Sequence, residues 1–195
     1  MNRYYTSIVS LVMIAFVSLC ASADIPTGYY TSLNGKKDVA LKTAVRDIIY
    51  NHTEVSSYSD LPQYFRKTDA RPGTNQWWDM YSDEVFYLPS FSGLNREHSV
   101  PKSWWGGSTS IPAYTDLNHL YPSEMNANSA KSNYPLGTVL TATFDNGVSK
   151  VGYAVTGQGG GAAKVFEPAD EYKGDFARTY FYMATCYAGY VTWKY

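Results

Sequence analysis

The sequence predicts an α+β fold, because segments with helical and strand-like patterns occur in turn along one chain. Apolar residues recur at helical spacing from Asp38 to Tyr50. Residues 95–131 read as strand, loop, strand and helix, and an Asn146-Gly147 pair separates two further strand-like segments. The 195 residues suffice for one domain with its own core but not comfortably for two. We therefore expect a single domain.

The start of the chain is typical of a secretory signal peptide. An apolar run from Ile8 to Cys20 follows a basic residue and ends at the small residues Ala21-Ser22-Ala23. The run is too short for a membrane-spanning helix, which needs about 20 residues. We predict cleavage after Ala23 and a secreted or periplasmic protein without a membrane anchor. A lipoprotein acylated at Cys20 is less favoured, because Leu19 stands where lipid-transfer signals have a small residue.

The segments outside the centre of the chain are assigned from periodicity and turn residues. Residues 38–50 form an amphipathic helix, whereas Ser56 to Ser92 show no clean period and predict short strands and loops. Thr138–Phe144 and Lys150–Val155 flank Asp145-Asn146-Gly147 and predict a β-hairpin. After a glycine loop at residues 157–161, Pro168 can open a helix to about Tyr187. Its predicted apolar face consists of Phe176, Tyr180, Phe181, Ala184 and Tyr187.

The central segment predicts two short strands and a helix. Asn95 to Trp105 suit a strand that ends in a loop, which continues from Gly106 to Pro112. Tyr114 to Tyr121 can form the second strand. Pro122 or Ser123 then starts a helix that runs to about Lys131.

Charge and cysteine content limit the possible functions only weakly. The chain has 16 Lys and Arg against 17 Asp and Glu, so the net charge does not indicate a nucleic-acid-binding protein. Such a protein would need a local basic face. Cleavage of the signal peptide would remove Cys20 and leave Cys186 as the only thiol, so we expect no internal disulfide.

Two groups of residues are candidates for chemistry. Glu97 and His98 are adjacent, so on a regular strand they point to opposite sides, and they share a site only if the backbone bends or a third element wraps around it. The predicted helix after Pro122 is unusually polar, with Asn126, Asn128, Ser132 and Asn133. Taken alone, these residues fit a solvated surface as well as a site.

Specific blocks of sequence connect these candidates with a known family. They are REHSVPKSWWG (96–106), DLNHLYP (116–122), SNYP (132–135), FEP (166–168), KGD (173–175) and YFYMAT (180–185). In content and order they resemble the bacterial endonuclease I family. The resemblance implies that residues 24–195 form one nuclease domain around a ββα-metal (His-Me) finger with flanking helices and a β-hairpin.

The resemblance also implies roles for individual residues. His98 would be the general base, since a neutral imidazole accepts a proton from water near neutral pH. Glu97 and Asn128 would bind Mg²⁺ or another divalent cation such as Mn²⁺ or Ca²⁺ through hard oxygen ligands. The implied substrate is DNA, and RNA as well, cut without sequence specificity to leave 5′ phosphates. No base-reading module is recognisable.

Three basic residues near this site could hold flanking phosphates, although each also fits an ordinary surface charge. They are Arg96, Lys102 and Lys131. Family members commonly have arginine where Lys131 stands. Lysine keeps the positive charge but cannot form the bidentate contact that arginine makes with a phosphate.

Other positions depart from the family pattern. Asn118 stands where the family usually has histidine, so Asn118 and His119 are left outside the catalytic set, with a buttressing or a structural role open. His52 matches no motif and suits a helix end or the surface. Family members usually continue past the long helix into a segment rich in arginine and asparagine, so this chain, ending at Tyr195, would be a truncated member.

Three alternatives remain open from sequence. A degenerate member would keep the fold without catalysis. An exported carbohydrate-binding module could stack sugars on the nineteen tyrosines and on Trp77, Trp78, Trp104 and Trp105, although it would not need Glu97, His98 and Asn128. A zinc hydrolase is less favoured, because the sequence has neither a two-histidine helical motif nor a cysteine cluster. We expect a monomer.

Overall fold

A computed structural model describes residues 25–190, so the predicted signal peptide lies outside the described part of the chain. The described residues form four α-helices and five strands in two antiparallel sheets. The helices are α1 (Asp38–Ile49), α2 (Leu61–Thr68), α3 (Met125–Lys131) and α4 (Lys173–Cys186). The strands are β1 (Leu94–His98), β2 (Leu120–Glu124), β3 (Val139–Asp145), β4 (Lys150–Ala154) and β5 (Lys164–Glu167). The predicted α+β fold is confirmed.

The ββα unit has the predicted order, but its second strand and helix start later. β1 pairs antiparallel with β2, with His98 opposite Leu120, and α3 follows β2 directly. Pro122 was expected to open the helix but lies within β2, where a strand with one unpaired edge tolerates the missing amide hydrogen. The helix starts at Met125 because the Glu124 carboxylate accepts the amide hydrogens of Asn126 and Ala127, both at 2.7 Å.

The predicted hairpin is confirmed and extends into a three-stranded sheet. β3 and β4 flank a turn in which Asn146 Oδ1 accepts from the Ser149 amide and Gly147 takes a positive φ of 88°. β5, which was not predicted, pairs with the other edge of β4.

The prediction of short strands and loops for residues 56–92 was wrong in part. α2 lies in this segment and buries Leu61 and Phe65, while Pro62 occupies the helix start where proline is tolerated. Strand pairing here is limited, among the described residues, to isolated bridges such as Ala70 with Trp77.

α4 begins later than expected, and its buried side includes Phe176, with Tyr187 buried just after it, as predicted, but not Phe181. Pro168 follows β5, and the helix starts at Lys173. Its buried residues are Phe176, Thr179, Met183 and Cys186, at helical spacing. Phe181 was placed on the apolar face but is 74% exposed, because it lies five residues, and so about 140° of rotation, from Phe176.

The apolar clusters hold the elements around β1. Trp104 and Trp105, in the turn after β1, pack with Val100 against Met183 of α4 and Tyr187 just after it. This packing fixes the segment after His98 against the last helix. Within residues 25–190, no helix is both long and apolar enough to cross a membrane.

Candidate active site

β1 presents Glu97 and His98 to opposite sides, as regular alternation requires. Glu97 is directed to α3, where it contacts Lys131, and His98 is directed to the loop before β2, where it contacts Tyr114. The structure therefore places the two side chains against different elements, α3 and the loop before β2.

Within residues 25–190, one ring nitrogen of His98 forms a hydrogen bond and the other forms none. Its Nε2 lies 3.0 Å from the carbonyl oxygen of Tyr114. A carbonyl only accepts hydrogen bonds, so Nε2 carries the hydrogen and the neutral ring has its acceptor at Nδ1. Burial, followed by the nearby His119, lowers the pKa of His98 from 6.5 to about 3. The ring is thus neutral at physiological pH.

Three aromatic rings contact the imidazole of His98. Tyr58 and Tyr114 stack nearly parallel to it, with ring centroids at 5.7 and 5.4 Å, and Trp105 meets it edge-on at 5.6 Å. Tyr58 and Tyr114 also stack on each other at 4.7 Å. These contacts restrict the rotation of the imidazole and keep the orientation of Nδ1 constant.

We predict that His98 stays neutral from pH 8 down to about 4, because its folded pKa is about 3. Ring-nitrogen NMR shifts measured against pH, and assigned with a His98→Asn variant, test this. A midpoint near 6.5 would contradict it.

The unfolded chain binds this proton below about pH 6.5. His98 therefore also lowers the stability of the fold as the pH falls from about 6.5 towards 3.

Glu97 forms a buried ion pair with Lys131. Lys131 Nζ lies 2.6 Å from Glu97 Oε1, and the two residues are 0% and 6% exposed. Burial raises the pKa of Glu97 from 4.5, and the ammonium of Lys131 opposes this rise. Lys131 is therefore not the surface cation expected from sequence, since its ammonium is enclosed against Glu97 instead of facing a flanking phosphate.

Asn128 lies on the face of α3 that meets Glu97. It precedes Lys131 by three residues, and residues at this spacing share one helix face. A carboxylate and an amide oxygen suit a hard divalent cation such as Mg²⁺, although Lys131 already occupies one carboxylate oxygen. In the described part of the chain, no three histidine, cysteine or acidic side chains are grouped for a metal. An ion at Glu97 would therefore take its other ligands from Asn128 and water.

Arg96 and Lys102 lie on either side of the ring stack. The Arg96 guanidinium is 4.4 Å from the Tyr58 ring centroid and donates to the Tyr58 carbonyl oxygen at 3.3 Å. Lys102 Nζ is 5.7 Å from the Tyr114 ring centroid. The structure thus places two of the three expected phosphate-binding cations next to His98.

Sequence comparison with known proteins identifies the family of this chain. Residues 38–194 match the family model described as Endonuclease I. The chain belongs to the endonuclease I family. It is 37% identical over 173 residues to an extracellular ribonuclease of Bacillus amyloliquefaciens, a match that covers 86% of this chain and 56% of that protein. It is 35% identical over 166 residues to an extracellular ribonuclease of Bacillus subtilis (strain 168), covering 83% and 54%.

The chain spans about half the length of these curated relatives. No solved structure matches it.

In this endonuclease I family member, Asn118 and His119 of the DLNH block form hydrogen bonds within the protein. His119 is fully buried, and its Nε2 donates to the Ala113 carbonyl oxygen at 2.6 Å. Asn118 donates through its side-chain nitrogen to Asp116 Oδ1 at 2.9 Å. These contacts favour a structural role for Asn118 and His119, because they fix the loop that carries Tyr114.

Asp116 was missed by sequence analysis, although the same block contains it. Its Oδ2 accepts from the hydroxyls of Tyr182 and Tyr187, both at 2.6 Å, and so joins this loop to the end of α4. Burial raises the pKa of Asp116, but the hydrogen bonds from Tyr182, Tyr187 and the Asn118 amide, together with the nearby His119, outweigh it and hold the pKa below 3.8. His52 follows the end of α1, as predicted, and its Nε2 lies 3.2 Å from Asp116 Oδ2.

Tyr58 was also missed. It is part of no family block, and its hydroxyl donates to the Arg96 carbonyl oxygen across 38 residues of sequence. Only the folded chain brings it to His98.

Proposed function

We propose that this chain is an exported nuclease that hydrolyses phosphodiester bonds with His98 as general base. One observation carries the proposal: Nε2 of a neutral, stacked His98 is bound to the Tyr114 carbonyl oxygen, which leaves Nδ1 as a proton acceptor of constant orientation. A divalent ion at Glu97 and Asn128 would assist.

The proposed reaction is the attack of water on phosphorus. Nδ1 of His98 takes the proton of the water as the new P–O bond forms, and the bond to the 3′ oxygen breaks. The products are a 5′ phosphate and a 3′ hydroxyl that takes its proton from solvent. Arg96 and Lys102 offset the negative charge of the flanking phosphates. When bound, Mg²⁺, Mn²⁺ or Ca²⁺ would supply charge neutralisation at the phosphate.

Three observations support export and a nucleic-acid substrate. The two relatives are named extracellular ribonucleases, which favours RNA beside the DNA expected from the sequence. The first 23 residues have the pattern of a signal peptide. The cations near His98 can hold backbone phosphates, and such contacts carry no sequence information, which fits cutting without sequence preference.

A carbohydrate-binding module is not favoured by the aromatic residues. Trp77, Trp104 and Trp105 are buried, and Trp78 is 40% exposed. Three of the four tryptophans considered as stacking platforms are thus used in the apolar clusters.

We predict that the purified mature chain cuts plasmid DNA and a structured RNA with Mg²⁺, and that excess chelator lowers the rate by at least about tenfold. Gel assays with Mg²⁺, Mn²⁺, Ca²⁺ or chelator test this, with circular dichroism to show that the protein stays folded. Equal rates with chelator would overturn the metal requirement. A folded chain that cuts neither substrate in any metal would overturn the proposed activity and favour the degenerate alternative.

A further inference from the structure

A cleft of about 680 Å³ lies beside the rings that hold His98. Two segments line it, residues 54–58 and residues 109–115 without the buried Ala113. Tyr58 and Tyr114 belong to these walls and also stack on His98. The cleft is therefore continuous with the elements that orient the proposed general base.

The lining of the cleft is rich in hydroxyl groups and contains one carboxylate, that of Glu54. Across residues 25–190, several of these groups make no hydrogen bond to protein and so remain available to a ligand. They are the hydroxyls of Ser56, Thr109, Ser110 and Thr115 and the carboxylate of Glu54.

The charges in and around the cleft favour different parts of a nucleic-acid strand, its phosphates and its uncharged nucleosides. Its described lining contains no lysine or arginine, and the Glu54 carboxylate repels a phosphate. Arg96 and Lys102 lie outside it, over the rings of Tyr58 and Tyr114. A nucleic-acid strand can thus place its phosphates at the cations and an uncharged nucleoside in the cleft, whose volume is within the range of about 300 to 1,000 Å³ for small-ligand sites.

We propose that this cleft binds the nucleoside next to the scissile phosphate, and that Glu54 accepts a hydrogen bond from its ribose 2′ hydroxyl. A carboxylate only accepts hydrogen bonds, and in an internal nucleotide of RNA the 2′ hydroxyl is the one sugar hydroxyl left to donate. DNA lacks this group, so the contact favours RNA over DNA of the same sequence. The proposal rests on the proposed nuclease function and adds a sugar preference to it.

The test compares Glu54→Ala with Glu171→Ala, a matched removal of an exposed carboxylate outside the cleft. KM and kcat are measured on labelled single-stranded RNA and on DNA of the same sequence, with melting curves for each variant. Glu54→Ala is expected to raise KM for RNA by about tenfold, as for a lost charge-assisted hydrogen bond, and to leave kcat and the DNA values unchanged. Glu171→Ala should match the wild type on both substrates.

Two results would overturn the proposal: an unchanged KM for RNA in Glu54→Ala, or equal losses on RNA and DNA. A direct binding measurement separates this failure from failure of the nuclease function. Uridine and 2′-deoxyuridine are titrated into wild type and Glu54→Ala and followed by intrinsic fluorescence. A preference of the wild type for uridine that Glu54→Ala lacks supports the cleft even if no cutting occurs, and equal binding of both nucleosides to the wild type overturns it.

Discussion

Replacing His98 with alanine is expected to lower kcat/KM for nucleic-acid cleavage by about 10²- to 10⁴-fold, the usual contribution of a general base. The change removes Nδ1, the acceptor left free by the Nε2 contact with Tyr114. Initial rates on RNA and DNA measure the effect. The control is His52→Gln, outside the ring stack, where the glutamine amide can still donate to Asp116, so kcat/KM should stay within about twofold.

A loss of activity in His98→Ala could also arise from disturbed packing of Tyr58 and Tyr114, so a second measurement is needed. Added imidazole can diffuse into the space left by the side chain and act as the base. We expect it to restore part of the rate in His98→Ala and to leave the wild type unchanged. A loss below about tenfold, or a folded variant that imidazole does not rescue, would argue against general-base catalysis by His98.

Replacing Lys131 with methionine is expected to destabilise the fold by about 3 to 5 kcal/mol, because the Glu97 carboxylate would be left buried without its counter-ion. Urea denaturation of wild type and variant at neutral pH measures the difference in unfolding free energy. Lys67→Met, at an exposed position on α2, is the matched control and should change stability by less than about 0.5 kcal/mol. A cost below about 1 kcal/mol for Lys131→Met would contradict the role of the ion pair.

The same variant tests whether Glu97 can hold a divalent ion. Lys131→Met leaves Glu97 Oε1 free of the ammonium that contacts it in the wild type. Saturating Mg²⁺ should therefore stabilise Lys131→Met more than the wild type, because any ligand that binds the folded state alone stabilises it by mass action. Equal shifts in the urea midpoint would argue against an ion at this carboxylate.

Local signals in the sequence were sufficient for much of the fold. Helical spacing predicted α1, the Asn146-Gly147 pair predicted the hairpin of β3 and β4, and the residue pattern of 95–131 predicted the strand, strand and helix around His98. They failed at α2 and β5. α2 has eight residues, too few for a clear helical period, and β5 is defined by its pairing with β4.

The sequence by itself determined the family and the residue types of the candidate site, because the block that contains Glu97 and His98 and the two blocks that flank Asn128 are specific. The tertiary structure decided how those residues are used. It buried Lys131 against Glu97 across 34 residues of sequence, and it brought Tyr58 and Tyr114 onto the ring of His98. Burial and ring contacts of this kind depend on segments far apart in the chain, so no local pattern encodes them. They nevertheless set the charge of each side chain and the direction in which His98 presents its free nitrogen.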